Sequence, residues 1–265
     1  MNLFLFIREI SSLNYAIICD TSKNYFNYRH FTNLQIFYQK LINNGFTNEF
    51  IVPLFIEDPL KDKRHLLDKV IHLNDTLTIP YVQLKPRKFN LDTLLNILNC
   101  KDEKLYKLDE NDNLLIYLTG HGNDDFFMLH NRYFLMLDDI MEVLFYLSKR
   151  LNKVLFILDT CQASALIDQN SIPKNVTVIA TSSANESSFS TNVSYNLGLN
   201  TVDDFAKRFH QIPIKRKLKV VDFFSPKIFG TITSNVMVFG NKTFNMKDFF
   251  YQNPNKRILR PFKIK

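Results

Sequence analysis

Six short apolar runs punctuate the chain, at 15–19, 51–56, 81–84, 114–118, 154–158 and 176–180. Several are apolar at consecutive rather than alternate positions, the pattern of strands buried on both faces. Between them the period changes. Over 28–42, Phe31, Leu34, Phe37, Tyr38 and Leu41 fall on one helical face, which predicts an amphipathic helix. A second helix is expected over 90–98 with Asn90 as its cap. A third is expected over 138–147, where Ile140, Val143, Leu144 and Leu147 share a face and Asp138 and Asp139 favour the N-terminal end. Strands alternating with helices predict a parallel, doubly wound sheet, and such sheets bind ligands beyond the carboxyl ends of their strands. After Ser183 the pattern loosens into Ser- and Asn-rich sequence, with a helix expected near 202–209 and a last strand near 236–239. There is no internal repeat and no low-complexity linker.

Length and composition narrow this picture only a little. A chain of 265 residues, 46% hydrophobic, is long enough to bury a sizeable core as one large α/β domain or two small ones. Glycine is scarce, at six residues, so each remaining one is expected where the backbone needs it. The net charge of +7 gathers late, in Lys207, Arg208, Lys215, Arg216, Lys217 and Lys219, and again in a tail with Lys256, Arg257, Arg260, Lys263 and Lys265. Either these are solvated surfaces or they meet anionic head groups or an acidic partner. No nucleic-acid-binding motif is present. The apolar start at 3–7 is short and lacks a preceding basic residue, which makes a poor secretory signal. No run approaches the ~18 apolar residues of a spanning helix.

Three cysteines, Cys19, Cys100 and Cys161, exclude a fully paired internal framework, and none has zinc-ligand spacing. Cys19 ends an apolar run and reads as a buried strand residue; Cys100 follows a helical pattern and reads as structural. Cys161 differs. Val154-Leu155-Phe156-Ile157-Leu158 leads into Asp159-Thr160-Cys161-Gln162-Ala163, and Leu114-Leu115-Ile116-Tyr117-Leu118 leads into Thr119-Gly120-His121-Gly122. If these strands are parallel neighbours, His121 and Cys161 emerge at one sheet edge. A thiol with a pKa near ~8.5 is a weak nucleophile at neutral pH until a cationic neighbour such as a protonated His favours the thiolate. A His can do that and later protonate a leaving amine. Gly122 leaves its N–H open to a developing oxyanion, with the Cys161 N–H as second donor. Taken singly, a Cys after a strand, a His in a loop and a Gly-His-Gly turn are each ordinary structural features. Their matching positions argue for a Cys–His acyl-transfer site.

The same residues carry a resemblance. Tyr117-Leu118-Thr119-Gly120-His121-Gly122 and Phe156-Ile157-Leu158-Asp159-Thr160-Cys161-Gln162 resemble the catalytic subunits of GPI transamidases, a branch of the legumain-like cysteine peptidases. Phe26-Asn27-Tyr28-Arg29-His30 is similar to the segment after that family's first strand. Ala180-Thr181-Ser182-Ser183 with Glu186-Ser187, and a looser Asp248-Phe249-Phe250, follow in the same order. The resemblance implies a caspase/legumain-like three-layer sandwich with a mostly parallel six-stranded sheet. It implies a single catalytic domain over 14–250, a short signal or extension over 1–13 and a basic tail over 251–265. Cys161 would attack the carbonyl of the ω residue of a C-terminal GPI-attachment signal, His121 would shuttle the proton, and Asn27 would orient the imidazole. Gly122 and Cys161 would form the oxyanion hole, and Arg29, Asp159 and Ser182 would surround the substrate pocket. The thioester would pass to the amine of a GPI phosphoethanolamine.

Several positions depart from the family. Ala163 stands where Gly usually follows Cys-Gln, so a turn needing positive φ there would be strained. Asn123-Asp124-Asp125 replaces a Gly-containing stretch. The acidic residues proposed to bind calcium are missing around Ile79-Pro80-Tyr81, so no metal and no cofactor is expected. No Cys lies near 57–63 for an intersubunit disulfide. With no C-terminal spanning segment in the sequence, the expected setting is the lumenal side of the endoplasmic reticulum, held to the membrane by embedded partner subunits. The partners implied are those subunits, the proprotein signal peptide and the GPI glycolipid. A free-standing legumain-like endopeptidase is the alternative, against which Asp159-Thr160-Cys161-Gln162 speaks. A non-catalytic scaffold is a third, against which the retention of Asn27, His121 and Cys161 together speaks.

Overall fold

The computed structural model describes residues 12–65 and 70–252. The apolar run at 3–7 and the basic residues from Lys256 onward lie outside the described residues. In chain order the elements are β1 (Asn14–Asp20), α1 (Tyr28–Asn43), β2 (Ile51–Leu54), β3 (Val70–His72), β4 (Thr78–Pro80), α2 (Leu91–Leu98), β5 (Asn113–Thr119), β6 (Phe126–Leu129), β7 (Tyr133–Met136), α3 (Leu137–Arg150), β8 (Lys153–Asp159), β9 (Val176–Ala180), β10 (Ser190–Ser194), β11 (Leu199–Asp203), α4 (Asp204–Gln211), α5 (Val220–Phe223), β12 (Met237–Gly240) and α6 (Lys247–Phe250).

The consecutive apolar runs become the middle of one sheet. Its order is β12-β9-β8-β5-β1-β2, parallel throughout except for β12, which runs antiparallel to β9. Every residue of β1, β5 and β9 is buried, as a strand covered on both faces requires. Burial at this scale supplies the main driving force for the fold. Three hairpins, β3–β4, β6–β7 and β10–β11, stand outside the sheet. They were not foreseen from the pattern, being short and mixed in polarity.

The crossover from β1 to β2 and that from β5 to β8 run in opposite directions across the sheet. Right-handed crossovers therefore put α1 and α3 on opposite faces. On the α1 side, Phe37 lies between the rings of Tyr117 (3.6 Å between centroids) and Phe209 of α4 (4.3 Å). The expected caps form: Asn90 Oδ1 accepts the Thr93 N–H at 2.9 Å, and the Asp139 carboxylate accepts the Met136 N–H at 2.9 Å.

One expected strand is absent. Residues 81–84 have no strand partner, because Val82 exchanges both main-chain groups with the Gln35 side-chain amide (2.9 and 3.1 Å) and Pro80 and Pro86 bracket the segment. The sixth strand is instead β12, close to the one expected at 236–239.

Candidate active site

Three strand ends lie flush. Asp20 of β1 is in register with Thr119 of β5, and Thr119 with Asp159 of β8. Chain direction of the crossovers reverses between β1 and β5, which makes this edge the topological switch point. Asn27 follows β1, while His121 and Cys161 each stand two residues beyond their register partners.

Glycine lets the two loops touch. A Cβ on Gly122 would stand 2.7 Å from Thr160 Oγ1 and 3.0 Å from the Phe126 carbonyl oxygen. A Cβ on Gly120 would stand 2.1 Å from Thr21 Oγ1. Close packing, not positive φ, therefore demands both glycines, and the His121 loop runs against the residue preceding Cys161. Asn123-Asp124-Asp125 closes this loop tightly: Asn123 Oδ1 accepts the N–H groups of Asp125 (3.0 Å) and Phe126 (2.9 Å).

Asn27 donates from Nδ2 to the Lys23 carbonyl at 2.8 Å, which turns its Oδ1 toward His121 Nε2, also at 2.8 Å. Since Oδ1 only accepts, Nε2 carries the proton and Nδ1 keeps its lone pair. Burial, and then the Arg29 charge, lower the His121 pKa to about 4. The imidazole is thus neutral at pH 7, so the resting site holds no imidazolium to favour a thiolate. Cys161 is half-buried, and its thiol donates to the Ser188 carbonyl at 3.7 Å. Among the described residues, the N–H groups of Gly122 and Cys161 are donated to no acceptor.

The strain feared at Ala163 falls one residue earlier. Gln162 takes the left-handed conformation, φ 53°, and Ala163 opens a short 3-10 turn over Ala163–Leu166. The Glu186 carbonyl accepts the Gln162 N–H at 2.7 Å and the Ser182 hydroxyl accepts the Ala163 N–H at 3.0 Å, which holds the Cys161 loop in this shape.

Arg29, Asp159 and Ser182 are placed differently from one another. Arg29 keeps a side chain 19% exposed and pairs through Nε with Asp203 at 3.2 Å. Asp159 is enclosed, accepting from Tyr117 Oη (2.7 Å) and Thr181 Oγ1 (2.9 Å). Burial first, and then the charge of Asp203, push its carboxyl up to about 7. Ser182 is fully buried and also donates to the Thr160 carbonyl at 2.7 Å. Asp159 and Ser182 therefore stand behind the site.

Asp203 escaped the sequence reading. It ends β11 and meets Arg29, His30 (3.5 Å) and Asn33 (2.6 Å). Preceding Asp204-Phe205, it reads in sequence as the start of a helix, and only its acidity hinted otherwise. His30 was quoted only within a motif. It is buried, bonds Ser22 through Nδ1 at 2.6 Å, and sets its ring edge-on to His121 at 5.0 Å.

The peptidase C13 family pattern matches residues 14–248. The GPI-anchor transamidase of Saccharomyces cerevisiae is 29% identical over 94% of this chain and 63% of its own length. That of Schizosaccharomyces pombe is 28% identical over 72% of this chain, and that of Homo sapiens 26% over 76%. The chain covers 54% of the length of each of these two. Among solved structures, caspase-1 from Spodoptera frugiperda shares the fold, with a TM-score of 0.54 at 10% identity and 94% of each chain covered.

Proposed function

The chain belongs to the peptidase C13 family, and from that premise we propose that it carries the catalytic centre of a GPI-anchor transamidase. The observation that supports this most directly is the convergence at three flush strand ends of Asn27, bound to His121, with His121 and Cys161 two residues beyond β5 and β8, beside two uncommitted N–H groups. The names of the fungal and human relatives support the acceptor assignment.

The Cys161 thiol attacks the carbonyl carbon of the ω residue as His121 Nδ1 takes its proton. A C–S bond forms and the carbonyl electron pair moves onto oxygen, where the Gly122 and Cys161 N–H groups receive it. Because the imidazole starts neutral, proton transfer accompanies attack. Asn27 holds the Nε2–H tautomer throughout but adds no charge to balance the imidazolium. Collapse breaks the C–N bond, and His121 returns the proton to the departing amine of the signal peptide. The resulting thioester is then attacked by the amine of a GPI phosphoethanolamine, His121 removes the amine proton, and the Cys161 thiol is regenerated.

Arg29 is the pocket residue that reaches the substrate; Asp159 and Ser182 support it from behind. A small ω residue, a polar spacer and an apolar tail are the substrate features. Among the described residues no helix is long and apolar enough to cross a membrane. Membrane-embedded partner subunits, on the lumenal side of the endoplasmic reticulum, would hold the chain near its lipid substrate. Cys161→Ala is expected to abolish GPI attachment to a reporter in cells while the protein still folds and assembles. Attachment at normal rates would rule the mechanism out.

A further inference from the structure

A cavity of about 370 Å³ opens at the ends of β1 and β2, and one of its walls is Asn27. Asp20, Lys23, Glu57 and Lys61 line it, with Phe31 and Ile56 among its apolar surfaces. Its volume is that of a small-molecule site.

The position follows from the order of strands. Along the edge run β2, β1 with Asn27, β5 with His121, and β8 with Cys161. The cavity is therefore on the histidine side of the nucleophile. An amine leaving the tetrahedral intermediate takes its proton from His121, and an amine attacking the thioester gives one up to the same ring. Both belong on this side.

The charges of the cavity are incompletely matched. Asp58 accepts from Tyr81 Oη at 2.6 Å, and Asp62 is bound to Arg64 at 2.8 Å. Asp20 and Glu57 make no ion pair among the described residues. Asp20 is 4% exposed; one carboxylate oxygen accepts the Ser22 N–H at 2.8 Å, and the other takes no hydrogen bond there. Burial pushes the Asp20 carboxyl well above the usual carboxylate range, the Arg29 charge offsets this only in part, and an incoming cation would favour its ionised form. At the outer rim, Lys23 has no anionic partner among the described residues, and Lys61, its side chain 66% exposed, stands a loose 3.8 Å from Asp58. The Asp20 carboxyl is deep, whereas Glu57 is exposed at the mouth with Lys61, and Lys23 is half-buried between them; from Asp20 outward to the two lysines this is the reverse polarity of a ligand that leads with its amine and trails a phosphate.

Resting on the transamidase reading, we propose that this cavity is the acceptor subsite, taking the terminal aminoethyl phosphate of the glycolipid with its ammonium at Asp20 and its phosphate at Lys23 and Lys61. The glycan then extends outward past Lys61. The ammonium gives one proton to solvent before attack; the neutral His121 beyond Asn27 takes the second as the C–N bond forms and passes it to the departing Cys161 sulfur.

The test is direct binding of O-phosphoethanolamine to the membrane-purified complex carrying Cys161→Ala, followed by ligand-observed NMR, with ethanolamine and inorganic phosphate as separate arms. The expected result is saturable binding of O-phosphoethanolamine, weakened about tenfold or more by both Asp20→Asn and Lys23→Ala, and much weaker binding of either half-ligand. Lys23→Ala, at the rim, carries the test if Asp20→Asn fails to fold. Absence of binding, unchanged affinity in Lys23→Ala, or equal affinity for inorganic phosphate alone would overturn the proposal. Turnover is not needed, so this outcome is separate from loss of the transamidase reading, which is decided by GPI attachment in Cys161→Ala cells.

Discussion

In the proposed mechanism His121 acts as a base only while its ring is neutral, and burial together with the Arg29 charge keeps it so down to about pH 4. Removing the Arg29 charge favours the imidazolium, so Arg29→Gln should move the His121 midpoint upward. An NMR titration of the ring in Cys161→Ala protein reads this directly; a midpoint unmoved by Arg29→Gln would contradict the assigned cause. In the same mechanism Asn27 contributes orientation only. Asn27→Ala should lower kcat by up to about 10²-fold with little change in KM, as expected when a reacting group loses its alignment. An equal loss carried wholly in KM would argue for a role in substrate binding instead.

The turns around Cys161 show how strand ends become a candidate site. Gln162 bears a left-handed φ that costs a non-glycine residue roughly 1–2 kcal/mol, so Gln162→Gly should raise stability by about 1 kcal/mol in urea unfolding. Gly122→Ala should lower it by about 1–3 kcal/mol, since its Cβ meets Thr160 Oγ1 at 2.7 Å. Reversal of either sign would mean the loop is built differently. At this scale the sequence was legible where burial was two-sided: β1, β5, β8 and β9 are runs that no amphipathic helix would carry. It was misleading at 81–84, where the apolar residues suggest a strand but a distant Gln35 amide takes up the backbone of Val82. Positions 121 and 161 stood out because Gly flanks one and a strand precedes each. Asp203 did not, because a carboxylate before a helix looks like a cap, and its contact with Arg29 spans most of the chain.

The molecule as a whole encloses three carboxylates, Asp20, Asp159 and Asp203, around Arg29, and burial raises the pKa of each. For Asp159 the sign is clear. Its carboxyl titrates at about 7 when folded against an ordinary 3.8, so its proton stabilises the fold fully below pH 3.8 and that contribution is lost as pH rises through 7. Asp159→Asn should therefore flatten the fall in Tm between pH 5 and pH 8, which thermal unfolding at both pH values checks; an unchanged slope would place the titration elsewhere. The central claim remains that Cys161 forms a thioester later resolved by an amine. The most direct measurement incubates the complex purified from membranes with a GPI-signal peptide and hydrazine as a small amine, and follows the new C-terminus by mass spectrometry. The account predicts a C-terminal hydrazide from the wild type and none from Cys161→Ala; hydrazide formed at the wild-type rate by Cys161→Ala would contradict it.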